Sequence, residues 1–233
     1  MSQDAIVAGG AEAPVVLITG ATGPLGHAAT ARFARDRARL VLVGTDLGRL
    51  NAFAAEAQLP EDRLLLVAAD LRDREAARSM ADQTTARFGR IDVLVHAVGG
   101  WAGGTRVVEL DPDEVRRMLD NHLWTTLHVA AAVVPGMVER GFGRVLAVSS
   151  PLAANPGARG ASYAIAKSAE EVVLRSLAKE TAGTGVTANL LIVKAIATAD
   201  QKGTPPEELA EALAYLASPA AGSITGQRIA VGG

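Results

Sequence analysis

Residues 15–46 read VVLITGATGPLGHAATARFARDRARLVLVGTD, and this stretch decides the fold. It begins with the apolar and β-branched run Val15–Thr19, which predicts a strand buried on both faces. A glycine-rich turn follows at residues 20–26, then a helical pattern, then a second apolar run, Leu40–Val43. The order strand, turn, helix, strand predicts parallel strands joined by a right-handed crossover.

The same alternation continues to the end of the chain, with helix-like segments between short apolar runs. It predicts one α/β domain over residues 14–233, a Rossmann-like doubly wound parallel sheet with helices on both faces. Residues 1–13 are interpreted as a flexible N-terminal tail. The predicted strands are Val15–Thr19, Leu40–Val43, Leu64–Ala68, Val93–Val95, Arg144–Ser149, Thr187–Ile192 and Ile229–Val231.

Composition excludes several classes of protein. The net charge is −2 and basic residues are scattered, which argues against a nucleic-acid or anionic-membrane partner. The chain has no cysteine, so it holds neither disulfides nor thiolate metal sites, and we expect no metal. No apolar run approaches the roughly 20 residues that span a bilayer. The N-terminus is acidic and unlike a signal peptide, so we expect a cytoplasmic protein.

The glycine-rich turn predicts a phosphate-binding loop. Glycine permits a tight turn, close approach of the backbone to a pyrophosphate, and close packing of the helix on the strand. The start of the following helix offers free N–H groups and a partial positive charge to the anion. Pro24 fits the first helical turn, where no intrahelical donor is lost. This position, directly after the first strand of a βαβ unit, favours a dinucleotide site over an ordinary turn.

Tyr163 and Lys167 carry the strongest chemical signal. A helix predicted over residues 162–182 places them one turn apart on the same face. An ammonium group near a phenol favours the phenolate, so we expect Lys167 to lower the pKa of Tyr163 and make it a usable general acid–base. Ser150 ends a predicted strand 13 positions earlier. Its hydroxyl can hydrogen-bond the same substrate oxygen.

Joined to the glycine loop, these residues resemble the short-chain dehydrogenase/reductase family over nearly the whole chain. The resemblance implies an NAD(P)-dependent oxidoreductase that moves a hydride between nicotinamide and a carbonyl or alcohol carbon. It implies that Ser150, Tyr163 and Lys167 are catalytic and that Asn121 holds a relay water. The cofactor-binding residues implied are Gly20, Thr22, Gly23, Leu25, Gly26, Thr45, Asp46, Asp70, Leu71, His96, Gly99, Tyr163, Lys167, Ile196 and Thr198.

The sequence departs from the family pattern at four places. Pro24 replaces the middle glycine of TGxxxGxG, so the loop fits TGxxGxxG instead. The family's NNAG reads HAVG at residues 96–99, which leaves His96 with either a structural role or a cofactor or proton-transfer role. The family's proline–glycine pair reads Val193-Lys194. Only residues 199–205 stand where relatives insert a long substrate lid, so we expect a site that is open or closed by a neighbouring subunit.

Two further assignments stay open. Asp46 either reaches the adenosine ribose, which would favour NAD, or caps the next helix. Gly44 stands where NAD-type members carry the acid and Thr45 where NADP-type members carry arginine, so NAD and NADP are both possible. Asp70 resembles the acid that holds the adenine amino group and alternatively caps a loop.

The site is expected to take a small-molecule carbonyl or alcohol substrate with apolar surroundings. Trp101, on a glycine-rich loop, either folds over that substrate or packs on the surface. The other expected pocket residues are Pro151, Leu152 and Ile192. A rival interpretation is a non-catalytic dinucleotide-binding regulatory or scaffold protein of the same fold.

The helical patterns at residues 113–138 and 162–182 are apolar around more of their circumference than one sheet face covers. This predicts a homo-oligomer, for which the resemblance implies a tetramer.

Overall fold

The computed structural model describes residues 13–232, and the N-terminal tail predicted for residues 1–13 lies outside it except for Ala13. Its centre is a seven-stranded sheet in the order β3-β2-β1-β4-β5-β6-β7, with every neighbouring pair parallel. This confirms the predicted doubly wound parallel sheet. The strands are β1 Val15–Thr19, β2 Arg39–Gly44, β3 Leu64–Ala68, β4 Val93–His96, β5 Gly143–Ser149, β6 Val186–Ile192 and β7 Arg228–Ala230.

Helices cover both faces of the sheet and bury its alternating side chains in two apolar layers. Helices α3, α5 and α6 pack on one face, and α1, α2 and α7 pack on the other. The helices are α1 Pro24–Arg35, α2 Leu47–Glu56, α3 Arg74–Phe88, α4 Pro112–Leu119, α5 Thr125–Arg140, α6 Ala161–Glu180 and α7 Pro206–Ala217. None of the described helices is long and apolar enough to cross a lipid bilayer.

The pattern over residues 113–138 forms two α-helices joined by a π-helical turn, Asp120–Trp124. The sequence predicted no such turn. A π turn inserts an extra residue into the helical ladder and often marks a functional site. Here it contains Asn121 and His122, so it lies where the resemblance places a relay residue.

Apolar side chains do remain exposed on α5, α6 and the π turn, as the sequence predicted. Trp124 and Ile165 are nearly half exposed, Val172 is 60% exposed, and Val138 is 38% exposed. A monomer leaves these side chains in water.

Candidate active site

Two adjoining cavities lie at the carboxyl ends of the strands, where β1 and β4 meet at the reversal of strand order. This is the position at which open α/β sheets bind ligands. The first cavity has a volume of about 280 Å³ and the second about 320 Å³. Both are lined by Gly20, Gly23, Ala97, Val98 and Gly99.

The glycine loop forms the wall between the two cavities. Gly20 has φ +69°, and a Cβ there would lie 2.5 Å from the carbonyl oxygen of Ala97, so the turn requires glycine. Helix α1 begins at Pro24, as expected, and its N-cap Gly23 makes no side-chain capping bond. The start of α1 therefore presents uncapped N–H groups beside the cavities, which fits a pyrophosphate.

The second cavity gathers further residues expected to bind the dinucleotide, including Thr45 and Asp70, which the resemblance places near the adenosine. Thr22, Thr45, Asp70 and Leu71 line it. Arg72 holds the Asp70 carboxylate through both oxygens, and this hydrogen-bonded pair keeps the pKa of Asp70 below its usual value.

Asp46 lies outside both linings. Its carboxylate accepts a hydrogen bond from the backbone N–H of Arg49 at 3.1 Å and so caps α2. The capping interpretation is confirmed; a ribose contact stays a prediction.

The four expected catalytic residues converge on the same edge of the sheet. Tyr163 and Lys167 line the first cavity from α6, and Asn121 lines the second. Ser150 is buried just beyond β5 and hydrogen-bonds the Tyr163 hydroxyl. Because Ser150 Oγ already accepts a bond from the N–H of Leu152, its own hydrogen is available to the tyrosine oxygen.

The electrostatics of Tyr163 differ from the sequence-based expectation. Burial, and then the negative charge of Glu170, raise the pKa of Tyr163 to about 12, with only the Ser150 hydrogen bond acting in the opposite direction. The expected lowering by Lys167 is absent because Glu170 Oε2 lies 2.6 Å from Lys167 Nζ and neutralises it.

Glu170 is the functional candidate that the sequence analysis missed. It is fully buried, and its Oε2 also lies 3.6 Å from Nδ1 of His122, which lines the first cavity. The available signal was spacing: Glu170 follows Lys167 by three positions on one helix, and the next residue after Asn121 is histidine. Spacing alone does not reveal that a charged side chain points inward.

His96 lies behind the cavities and lines neither of them. Its Nδ1 is 2.8 Å from the Thr19 hydroxyl and its Nε2 is 3.4 Å from the Thr125 hydroxyl. Burial lowers its pKa to about 4, so the ring is neutral near pH 7. These contacts favour the structural role, and a cofactor role stays an untested prediction.

The connection between β6 and α7 is compact. Ile196 lines the first cavity, whereas Thr198 is exposed, lies outside both linings and bonds Gln201 through its backbone N–H. Ile196 also pairs with Thr204, which closes the loop on itself. This segment therefore leaves the first cavity uncovered.

The expected apolar pocket residues are placed elsewhere. Trp101 is 66% exposed and its ring lies over Gly103. The first cavity is instead bordered by strand ends, the glycine loop and two lysines, Lys167 and Lys194. Neither cavity is lined by Trp101, Pro151, Leu152 or Ile192.

Comparison with known proteins gives consistent matches over most of the chain. A family model described as short chain dehydrogenase matches residues 14–209. The (2S)-[(R)-hydroxy(phenyl)methyl]succinyl-CoA dehydrogenase subunit BbsC of Thauera aromatica is 33% identical, covering 94% of this chain and 93% of that protein. The cis-4-hydroxycyclohexanecarboxylate dehydrogenase of Sinomonas cyclohexanicum is 30% identical, covering 94% and 95%.

Among solved structures, the chain is similar to a 3-ketoacyl-(acyl-carrier-protein) reductase from Brucella melitensis complexed with NADH. The TM-score is 0.87 at 27% identity, covering 94% of this chain and 97% of that one.

Proposed function

The chain belongs to the short-chain dehydrogenase/reductase family, and we propose that it interconverts a secondary alcohol and a ketone with NAD or NADP. The observation that carries the proposal is the meeting of Ser150, Tyr163 and Lys167 beside a glycine loop that fits a pyrophosphate. The dinucleotide, when bound, supplies or accepts the hydride.

The chain's own residues handle the proton and the orientation of the substrate. In the direction of reduction, Tyr163 donates its proton to the carbonyl oxygen as the hydride reaches the carbon. With substrate bound, Ser150 turns its one hydrogen from Tyr163 to the same oxygen and fixes its position. Lys167 donates one hydrogen bond to Glu170 and another to the carbonyl oxygen of Val148. Its third hydrogen is left for a ligand in the cavity that it lines.

Titration with NADH and with NADPH, followed by a panel of ketones with the preferred cofactor, tests the proposal. We expect binding of at least one cofactor and its oxidation by some ketone in the panel. The rival proposal is a non-catalytic dinucleotide-binding protein. The observation that favours it is the ion pair between Lys167 and Glu170, because a paired ammonium no longer lowers the pKa of Tyr163. Binding without turnover across the panel would support that rival.

Lys194 suggests that the substrate carries a negative charge. It replaces a glycine of the family pattern, lines the first cavity and has an exposed side chain with no ion pair among the described residues. The names of both relatives describe an alcohol that also carries a carboxylate, which in the succinyl-CoA compound is the succinyl carboxyl group not joined to coenzyme A. We therefore propose an anionic substrate whose acid lies near Lys194.

Replacement of Lys194 by methionine tests this. We expect Lys194→Met to raise KM for 4-oxocyclohexanecarboxylate about fivefold, equivalent to roughly 1 kcal/mol, the upper range for an exposed ion pair. The KM for uncharged cyclohexanone should not change. Lys202→Met is the control, because Lys202 is exposed on the same connection and lies outside both cavities. A rise in KM for the dinucleotide alone would place Lys194 on the pyrophosphate and contradict the proposal.

The capping bond of Asp46 bears on the choice between NAD and NADP. Asparagine caps helices as well as aspartate does. We therefore expect Asp46→Asn to change the NADH/NADPH ratio of dissociation constants by less than tenfold, measured by fluorescence titration. Thr45→Arg, by contrast, places a cation on the lining of the second cavity and should favour NADPH. A larger shift toward NADPH in the asparagine variant would show that Asp46 faces the ribose.

We also propose that the exposed apolar side chains of α5, α6 and the π turn, including Trp124 and Val172, are covered in a homo-oligomer, and the family resemblance favours a tetramer. Light scattering at micromolar concentration should give a mass well above one chain. A monomer would contradict this.

A further inference from the structure

Glu170 and His122 form a buried pair behind Lys167, and we propose that this pair stores a proton for the reaction. In this arrangement His122 carries hydrogens on both ring nitrogens, and Glu170 joins it to the Lys167 ammonium. The proposal rests on the function proposed above, because the stored proton serves to reload Tyr163.

The burial of the cluster requires its charges to be paired. Glu170 is 0% exposed, His122 1% and Lys167 5%. Lys167 Nζ lies 2.6 Å from Glu170 Oε2 and 2.7 Å from the carbonyl oxygen of Val148. Burial opposes ionisation of Glu170, but the positive charge of Lys167 is the main influence against it, and the pKa of Glu170 is held below its usual value. The pair is therefore an ammonium and a carboxylate.

The ring of His122 then needs two hydrogens. Its Nε2 lies 3.0 Å from the carbonyl oxygen of Gly100, which can only accept, so Nε2 carries a hydrogen. Its Nδ1 is 3.6 Å from Glu170 Oε2 and makes no closer polar contact among the described residues. A bare Nδ1 would direct its lone pair at a carboxylate in a site shielded from water. A hydrogen on Nδ1 replaces that repulsion with an attraction between opposite charges.

Among residues 13–232, no other titratable group close to the pair takes this proton. Lys167 and Tyr163 approach from α6, His122 from the π turn and His96 from β4. Burial keeps His96 neutral, with a pKa of about 4, and the Tyr163 ring meets the His122 ring edge-on at 5.6 Å between centroids. Lys167, Glu170 and His122 together therefore carry one net positive charge, which falls to zero when His122 gives up its Nδ1 proton.

The proton steps balance in the direction of reduction. Tyr163 loses its proton to the substrate oxygen and becomes a phenolate. Lys167 returns a proton to it through a water or hydroxyl group in the cavity that both line. Nδ1 of His122 gives its proton to the Glu170 carboxylate, and Glu170 passes that proton to the nitrogen of Lys167, which restores the ammonium and the carboxylate. No electrons leave these residues, and solvent in the cavity reprotonates His122.

Nitrogen NMR on the apo protein tests the stored proton without substrate. The chain has four histidines, and His122→Asn identifies the signal of interest. We expect both ring nitrogens of His122 to be protonated at pH 7 in the wild type, and one to lose its proton in Glu170→Gln. A neutral His122 in the wild type, or an unchanged signal in Glu170→Gln, would overturn the proposal.

Titration of Tyr163 gives a second measurement free of cofactor. The chain has two tyrosines, so Tyr215→Phe leaves Tyr163 as the only source of phenolate absorbance. In the Tyr215→Phe background, adding Glu170→Gln should lower the midpoint, the pH at which half of Tyr163 is phenolate, by about one unit or more, because it removes the negative charge that opposes the phenolate. Glu180→Gln, an exposed change on the same helix, should leave the midpoint where it was. An unmoved midpoint in Glu170→Gln would contradict the role assigned to Glu170.

Turnover separates this proposal from the one on which it rests. The assay uses a ketone that the wild type reduces. We expect His122→Asn to lower kcat about tenfold and to change the pH profile of kcat. His128→Asn is the control, because His128 lies outside both cavities, and it should change neither quantity. If Tyr163→Phe is inactive while His122→Asn retains the wild-type kcat and pH profile, the proton store is wrong and the proposed function stands. If Tyr163→Phe keeps full turnover, the proposed function itself fails.

Discussion

Tyr163→Phe should lower kcat by about three orders of magnitude, within the range that a positioned general acid contributes. The change removes one hydroxyl, and the partner that this hydroxyl contacts is Ser150. Loss of the transferable proton therefore removes the acid from the reaction and leaves the wall of the cavity in place. Steady-state reduction of the best ketone in the panel measures the effect.

The control for this variant is binding of the dinucleotide. The glycine loop and the second cavity do not involve the Tyr163 hydroxyl, so the dissociation constant for NADH or NADPH should stay within about threefold of the wild type. A variant that binds the cofactor and turns over at the wild-type rate would refute the role of Tyr163 in proton transfer.

The raised pKa of Tyr163 gives the direction of its pH dependence. A phenol with a pKa of about 12 remains protonated at neutral pH, so it is ready to act as an acid and reduce a carbonyl. Alcohol oxidation requires the phenolate, whose fraction rises tenfold per pH unit below that pKa. Initial rates measured between pH 7 and 10 should therefore rise with pH for alcohol oxidation and stay nearly constant for ketone reduction.

Most of the sheet was predictable from the sequence because its central strands are buried on both faces. A strand of this kind must be apolar along its whole length, and such runs stand out between helical patterns. Strand β1 was predicted at its observed bounds, and β5 starts one residue earlier than predicted. The glycine loop was equally predictable from the sequence. The positive φ of Gly20 and its close approach to Ala97 leave no room for a side chain, so glycine is required at this position.

The electrostatics around Tyr163 were not predictable in the same way. A charged residue in a helix is normally exposed, but Glu170 is buried, where Lys167 on the same helix and His122 on the π turn lie beside it. That meeting depends on the π turn that places His122 beneath the first cavity. For Trp101 the sequence left two roles open, a cover over the substrate or packing on the surface, and the ring lies over its own loop, which favours the second.

Gly26→Ala should destabilise the protein by about 2 kcal/mol and abolish binding of the dinucleotide. A Cβ at this position would lie 2.4 Å from the carbonyl oxygen of Gly20 and 2.5 Å from that of Ala21. Both neighbours are backbone atoms of the glycine loop, so no side chain can rotate to make room. Either α1 moves away from β1 or the loop changes its shape, and each outcome takes the N–H groups away from the pyrophosphate.

Gly23→Ala is the matched control, because it adds the same methyl group three residues earlier. Its Cβ would meet only the carbonyl oxygen of Gly20, at 3.4 Å, and Gly23 lines both cavities. The fold should therefore tolerate the change, while the added methyl group enters the space assigned to the phosphates. Thermal unfolding should show a melting temperature about 5 °C lower for Gly26→Ala and nearly unchanged for Gly23→Ala. Fluorescence titration should show weakened NAD(P)H binding in both. Equal stability of the two variants would mean that the close approach at Gly26 does not constrain the loop.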